Sequence, residues 1–350
     1  MQEKYMSLQE DELIARILKH KKRLGGDLKI LGHFYQREGI VRLADYEGDS
    51  LQLAKAGSDT DAKFIVFCGV YFMAEASSIL AKEWQRVFIP DPTAGCPLAD
   101  FASVDQVEAA WQVLSDLNIS SNFIPIVYMN SSAELKAFCG RNGGLVCTSS
   151  SAGKAFRWAL EQNKKIFFFP DENLGRNAAR DFGIHESATF LWDPHLKMSS
   201  FDVNSLLEKK LILWKGHCHI HTFFTVEHVE AVRRAHKGCE VIVHPECSPS
   251  VVMAADGAGS TGYLKEFVEN ARSGSTIAIG TEINMVSRLA NLHPDKNIIP
   301  LARSLCPNMM KIGLGDLLMT LDRLGDINEV IVPEDVLKYA KLALERMLYL

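Results

Sequence analysis

Short runs of apolar and β-branched residues recur along this chain, and each leads through Gly, Pro or polar residues into an amphipathic stretch. Such a run predicts a buried strand, and the spacing of apolar residues after it predicts a helix. This alternation is typical of parallel sheets covered by helices, so the predicted fold class is α/β. The segment 183–210 is longer than the minimal connection between its neighbouring elements, and it is predicted to form a loop. The nine predicted strands are "LKILG", "FIVFC", "RVFI", "FIPIV", "GLVC", "KIFFF", "LILW", "EVIV" and "TIAIG".

Reactive side chains follow these strands directly. In parallel sheets, ligands bind beyond the carboxyl ends of the strands, so these positions are candidates for a functional site. A single open sheet rarely presents so many polar strand ends to one ligand, whereas three small sheets around a common centre can. The candidates from this pattern are His33, Tyr35, Cys96, Tyr128, Asn130, Ser149, His217, Cys218, His221, His244, Glu246, Ser260 and Thr261.

The eight cysteines are predicted to be reduced thiols, because the N-terminus is too charged for a signal peptide. No two of them are separated by only two residues, which excludes zinc-ribbon, ferredoxin and thioredoxin spacings. Three cysteines, Cys96, Cys218 and Cys306, lie in predicted loops, 122 and 88 residues apart. These separations match one small α/β domain each, so the pattern predicts one loop cysteine in each third of the chain.

Composition excludes several classes of partner. The 350 residues are 47% hydrophobic and 23% charged, with a net charge of −5. This charge gives no electrostatic footprint for nucleic acid or an anionic membrane. The longest apolar stretch, "FIVFCGVYFMA", is shorter than the ~18 residues that a bilayer requires. We therefore expect a cytoplasmic protein without nucleic-acid or membrane partners.

Several motifs together carry a resemblance to a known family. They are "LGHFYQ", "YMNSSAELKA", "PDENLGR", "ILWKGHCHIH", "VIVHPEC", "GSTGYL" and "CPNMMKIGL", and they extend over nearly the whole chain. In these motifs the sequence resembles the bacterial quinolinate synthases, iron-sulfur enzymes that make the pyridine ring of NAD. The resemblance implies three pseudo-symmetric, three-layer αβα domains with parallel sheets around a central active site. The expected domains are 1–108, with 307–350 packing on it, 109–217 and 218–306.

The cofactor implied by the resemblance is one 4Fe-4S cluster with a cysteine ligand from each domain: Cys96, Cys218 and Cys306. The implied reaction condenses iminoaspartate with dihydroxyacetone phosphate to quinolinate, phosphate and water, in de novo NAD biosynthesis. Because three thiolates leave the fourth iron without a protein ligand, that iron can act as a Lewis acid in the dehydration. A functional link to an enzyme that produces iminoaspartate is also implied.

The resemblance also implies roles for the strand-end residues. The expected catalytic residues are Tyr35, His33, Glu246 and His221. "GSTGYL" precedes a predicted helix, and its hydroxyls at Ser260 and Thr261 can hold a phosphate, since helix amide ends favour anions. The same motif is equally typical of an ordinary helix cap. The expected substrate-binding residues are His33, Ser50, Tyr128, Asn130, Ser149, His244, Glu246, Ser260 and Thr261.

Two other functional classes fit parts of the pattern. A zinc hydrolase of the amidohydrolase kind would use His219 and His221 with His244, since zinc binds imidazoles and keeps one position open for water. That hypothesis gives no role to Cys96 or Cys306. A non-catalytic iron-sulfur sensor is the second alternative, but it would not need so many polar strand ends.

Overall fold

The computed structural model describes residues 2–196 and 203–350. They form three separate sheets, in which neighbouring strands are parallel. Helices flank each sheet, so the predicted α/β fold of three-layer αβα units is confirmed. The limits predicted for the three domains stay predictions.

The strands follow one another sheet by sheet along the chain. The first sheet contains β1 (Leu28–His33), β2 (Tyr46–Gly48), β3 (Phe64–Cys68) and β4 (Arg86–Phe88). The second contains β5 (Phe123–Tyr128), β6 (Leu145–Cys147), β7 (Lys165–Phe169), β8 (Thr189–Trp192) and β9 (Leu211–Trp214). The third contains β10 (Glu240–Val243), β11 (Gly257–Ala258), β12 (Thr276–Gly280) and β13 (Asn297–Pro300).

All three sheets share one strand order. The first sheet has the order β2-β1-β3-β4, and the third has the equivalent order β11-β10-β12-β13. The second sheet, β6-β5-β7-β9-β8, repeats this order and adds β8 at its edge. The chain therefore contains three copies of one architecture, as the resemblance implies.

All nine strands predicted from the sequence are present. The sequence pattern does not predict β2, β8, β11 and β13, all of which lie at the edges of their sheets. The prediction of a loop over 183–210 is wrong at Thr189–Trp192, which forms β8. Thr189 lies opposite Leu211 of β9 in parallel register. Residues 197–202 of that segment lie outside the described residues.

The helices mostly connect one strand to the next. None of them, within the described residues, is long and apolar enough to cross a membrane. They are α1 (Gln2–Met6), α2 (Glu10–Leu24), α3 (Glu38–Val41), α4 (Ser50–Asp59), α5 (Tyr71–Leu80), α6 (Val104–Asp116), α7 (Ala133–Arg141), α8 (Ala152–Glu161), α9 (Glu172–Arg180), α10 (His219–Thr222), α11 (Val226–Ala235), α12 (Pro249–Ala254), α13 (Thr261–Asn270), α14 (Ile283–Leu292), α15 (Leu314–Asp322) and α16 (Glu334–Leu348).

The two C-terminal helices, α15 and α16, pack against elements that belong to different sheets. α15 packs on α1 and α2, which precede the first sheet, whereas α16 packs mainly on α7 and β6 of the second and also contacts α5. The contact between α7 and α16 is very close at Gly140. A Cβ atom at this position would lie 1.9 Å from the carbonyl oxygen of Tyr339. Only glycine allows the two helix backbones to approach this closely.

We predict that Gly140→Ala lowers the free energy of unfolding by about 1–3 kcal/mol or more, because the new methyl group overlaps the Tyr339 carbonyl. Gly153→Ala is the matched control. Gly153 also lies in a helix, α8, but an added Cβ there meets no atom within 4 Å. It should leave stability unchanged or raise it by up to about 1 kcal/mol. Urea unfolding measures both variants, and equal stabilities would contradict the close helix contact.

Candidate active site

The carboxyl ends of strands from all three sheets open into one cavity. Every residue predicted for the site lines this cavity except His217 and Ser260. The sequence rule that ligands bind beyond strand ends therefore identifies the place correctly. The predicted residues that line the cavity are His33, Tyr35, Ser50, Cys96, Tyr128, Asn130, Ser149, Cys218, His221, His244, Glu246, Thr261 and Cys306.

The loop after β1, which carries Tyr35, is held by a helix of the third sheet. Arg288 of α14 donates hydrogen bonds to the carbonyls of Phe34 and Gln36. Asn284, also of α14, donates to the carbonyl of Tyr35 at 3.2 Å. Three consecutive carbonyls are thus bound by one helix, which fixes the Tyr35 side chain relative to the third sheet.

A chain of hydrogen bonds crosses the buried side of the cavity. The hydroxyl of Tyr35 lies 2.5 Å from Thr281 Oγ1 and 3.3 Å from His221 Nε2. His221 Nδ1 donates to Glu246 Oε2 at 2.7 Å, and the Tyr128 hydroxyl donates to the other oxygen, Oε1. Residues from all three sheets take part, so their relative positions depend on the packing of the sheets.

Burial sets the protonation of this chain. Burial raises the pKa of Tyr35 and of Tyr128 well above its ordinary value, so both hydroxyls keep their protons at neutral pH. Burial also lowers the pKa of His33 and of His244 to about 3, so both imidazoles are neutral. For Glu246, burial opposes ionisation, but the attraction of His221 and His244 and the hydrogen bonds from His221 and Tyr128 lower its pKa. The attraction of His221 and the two hydrogen bonds outweigh burial, so Glu246 is a carboxylate.

Three half-buried thiols face the cavity, one from the loop after the last strand in the repeated order of each sheet. Burial raises the pKa of Cys96 to about 12, and burial also raises the pKa of Cys218 and of Cys306. Backbone N–H groups of the following residues point at each sulfur, for example those of Leu98 and Ala99 at Cys96. Such N–H contacts are typical of iron-sulfur ligands. The three thiols face one space, and no lysine or arginine is among the described residues that line it. This arrangement fits a metal group that binds thiolates.

Another set of metal-binding atoms overlaps these thiols. Among the described residues, Cys218, His221 and Glu246 place a sulfur, a nitrogen and an oxygen within 4.8 Å of one another. This set differs from the one expected of a zinc hydrolase, because His219 and His244 are not in it. The rings of His221 and His244 instead stack, with centroids 4.3 Å apart.

Comparison with known proteins gives the family. The family model described as quinolinate synthetase A protein matches residues 15–349. The chain belongs to this family. It is 47% identical over 356 residues to the quinolinate synthase of Geobacillus sp. (strain WCH70), with 100% of this chain and 96% of the relative covered. It is 46% identical to that of Anoxybacillus flavithermus (99% and 96% covered) and 46% identical to that of Bacillus cereus strain Q1 (99% and 95% covered).

Ser260 has a different place from the other residues expected in a quinolinate synthase site. It is buried and precedes α13, where its hydroxyl accepts a hydrogen bond from the Tyr263 backbone at 3.3 Å. Asp49 also hydrogen-bonds to Ser260 and to the Gly262 backbone. Ser260 thus acts as a helix cap, and its contact with substrate stays a prediction. Thr261, the first residue of α13, does line the cavity.

Sequence reasoning missed two residues of this family member's site. Thr281 is fully buried and lies between Tyr35 and His221. It directly follows the predicted strand "TIAIG", so the strand-end rule could have found it. Asp49 lines the cavity and caps α4, with Gln52 N donating to Asp49 Oδ1 at 2.9 Å. The motif "GDS" before an amphipathic stretch was its signal.

A buried lysine supports the loop that carries Asn130. Lys136 is fully buried, and its ammonium donates to the carbonyl of Ser131 and lies 5.7 Å from the ring centre of Phe72. Phe72 lines the cavity, so Lys136 connects two parts of its wall. Burial lowers the pKa of Lys136 to about 8, although Glu75 and Glu134 oppose the shift.

We predict that this lysine makes the stability depend on pH. Because its pKa is lower in the folded chain, the unfolded chain binds more protons between pH 8 and about 10.4, so stability rises with pH there. Relative to Lys136→Met, the wild type should therefore gain up to about 3 kcal/mol from pH 7 to pH 10. Urea unfolding at both pH values measures the gain. The control is Lys19→Met, which replaces an exposed lysine. Its free energy of unfolding should change with pH as that of the wild type does. The prediction would be contradicted if the free energy of unfolding of Lys136→Met changed with pH as that of the wild type does.

Proposed function

We propose that this chain is a quinolinate synthase, which condenses iminoaspartate with dihydroxyacetone phosphate to quinolinate, phosphate and water. Its family and its 46–47% identity with relatives of that name support the proposal. The observation that carries it is the composition of the cavity, where one thiol and one strand-end acid–base group from each sheet meet. An iron-sulfur sensor would not need the buried chain from Tyr35 to Tyr128.

The proposed cofactor is one 4Fe-4S cluster held by Cys96, Cys218 and Cys306. The support is that each sulfur faces the same cavity and is contacted by backbone N–H groups. No fourth cysteine lines the described part of the cavity, which agrees with three protein ligands. When bound, such a cluster supplies a Lewis acid at the iron that lacks a protein ligand.

The proposed substrates are anions, and the cavity offers them neutral hydrogen-bond donors. Among the described residues that line it, none is a lysine or an arginine. Instead, helices of ten residues, one from each sheet, begin beside it: α4, α8 and α13. Helix N-termini carry partial positive charge and free N–H groups, which bind phosphates and carboxylates. Ser50 and Thr261 are the first residues of α4 and α13, and Ser149 lies in the loop just before α8. We assign them with Asn130 to the phosphate and carboxylate groups.

The acid and base follow from the protonation of the buried chain. Glu246 is ionised and held by two donors, so we assign it the role of proton acceptor. Tyr35 keeps its proton and lies beside His221, so we assign it the role of donor. His33 and His244 are neutral and line the cavity, where each can orient a substrate oxygen. General acid–base groups of this kind contribute roughly 10²–10⁴-fold in rate.

The chemistry of iminoaspartate also limits where in the cell the protein can act. Imines hydrolyse in water, so this substrate must be consumed close to its source. We therefore propose a functional link to an enzyme that produces iminoaspartate, and the cytoplasm as the compartment. The formal charge of −5 does not favour a nucleic-acid partner.

The first test of the proposed function compares four cysteine variants. Wild-type protein purified without oxygen should contain about four irons and four sulfides and should form quinolinate from the two substrates. Cys96→Ala, Cys218→Ala and Cys306→Ala should each lose most of the cluster and the activity, because two thiolates hold a cubane poorly. Cys247→Ala should keep both, since Cys247 is fully buried outside the cavity lining. A wild type that holds no iron and no labile sulfide after anaerobic purification and reconstitution would refute the proposal.

A second test concerns Thr281, which does not line the cavity and is a positioning residue. Thr281→Val removes the hydroxyl that lies 2.5 Å from the Tyr35 hydroxyl, so kcat should fall by roughly 10–100-fold while cluster content and KM stay close to wild type. Thr281→Ser keeps the hydroxyl and should restore most of the rate. Steady-state kinetics of both variants decides the point. A serine variant as slow as the valine variant would mean that the packing at this position, and not the hydroxyl alone, sets the rate.

A further inference from the structure

Cys218, His221 and Glu246 bring three metal-binding groups together, although the proposed reaction does not require them as a set. Their sulfur, nitrogen and oxygen atoms lie within 4.8 Å of one another. Cys218 precedes the short helix α10, and His221 lies in that helix, so one turn of chain holds both. Glu246 comes from the loop after β10. Two loops therefore converge on one point.

We propose that the cluster-free chain binds one Zn²⁺ ion through Cys218, His221 and Glu246. Zinc bonds of about 2.0–2.3 Å to sulfur, nitrogen and oxygen place two ligands of one tetrahedral ion roughly 3.3–3.7 Å apart. The observed limit of 4.8 Å is close enough for a small side-chain rotation to bring all three onto one ion. The His221 Nδ1–Glu246 Oε2 hydrogen bond of 2.7 Å would then be replaced by bonds to the ion. Three protein ligands leave the fourth position to water.

The charges of the set suit a divalent ion. His221 and Glu246 are each 2% exposed, and a buried dication is stable only when nearby anions balance it. A Cys218 thiolate and the Glu246 carboxylate supply the two negative charges, and the thiol proton is released to solvent on binding. A thiolate with an imidazole also favours zinc over magnesium or calcium, which prefer oxygen ligands.

The zinc set and the proposed cluster set share only Cys218. One sulfur cannot serve both groups in these two geometries, so zinc and cluster binding should exclude each other. The two sets also predict opposite effects of substitutions elsewhere. Cys96 and Cys306 belong to the cluster set alone, whereas His221 and Glu246 belong to the zinc set alone.

The experiment titrates cluster-free, full-length protein with Zn²⁺ against a chromophoric zinc chelator, under anaerobic conditions. The wild type, Cys96→Ala, Cys306→Ala and the control Cys247→Ala should each bind one zinc with similar affinity. Glu246→Gln and His221→Ala should bind it about 100-fold more weakly, since each removes a direct ligand. After anaerobic reconstitution, Glu246→Gln should retain iron and sulfide, which also shows that it folds. Prior zinc loading should block reconstitution of the wild type.

Two results would overturn the zinc site. One is the absence of stoichiometric zinc in the wild type. The other is weakened zinc binding in Cys96→Ala or Cys306→Ala together with unchanged binding in Glu246→Gln, which would mean that the three thiols alone hold the ion. A cluster retained in Cys96→Ala would instead contradict the cluster ligands proposed above and leave the zinc site standing, so the two proposals fail separately.

Discussion

Parallel strand pairing is the constraint that places every reactive side chain of this protein. Since the carboxyl ends of parallel strands lie at one edge of a sheet, whatever follows each strand comes to that edge. The three sheets repeat one strand order, so equivalent strands contribute equivalent groups. The first strand of each sheet along the chain (β1, β5 and β10) leads to His33 and Tyr35, to Tyr128 and Asn130, and to His244 and Glu246. The second strand (β2, β6 and β11) leads to Ser50, Ser149 and Thr261. The strand at the other end of the shared order (β4, β9 and β13) leads to Cys96, Cys218 and Cys306.

Burial then decides the chemical state of these groups. The same loss of water that keeps the hydroxyl protons on Tyr35 and Tyr128 also keeps the thiol protons on the three cysteines. A site that holds proton donors ready must therefore release protons when a metal binds its thiols. Glu246 is the exception, because two donors stabilise its charge. It is consequently the one group in the buried chain that is set to accept a proton.

Much of this arrangement could be predicted from the sequence. Nine of the strands have apolar runs that can be recognised, and most of the candidate residues after them line the cavity. Four edge strands were not predicted; β11, for example, is only Gly257–Ala258 and is defined by its pairing with β10. Thr281 was missed although it follows a predicted strand, because a buried threonine is typical of ordinary packing as well. The capping role of Ser260 is local and was one of the two interpretations of "GSTGYL". Its contact with Asp49, more than two hundred positions away, has no local signal.

The electrostatic balance of the cavity limits how the proposed reaction can proceed. Both proposed substrates are anions, and Glu246 adds a further negative charge beside them. Without lysine or arginine in the described lining, the helix starts of α4, α8 and α13 must compensate these charges together with any bound metal. Each helix end contributes only about half an elementary charge, so the three together fall short of two carboxylates, a phosphate and Glu246. A cluster with three thiolates would itself be anionic, so it would offset this deficit only locally, through the Lewis acidity of the iron that lacks a protein ligand. Substrate affinity should therefore depend on the metal as well as on the hydroxyls that contact the substrate.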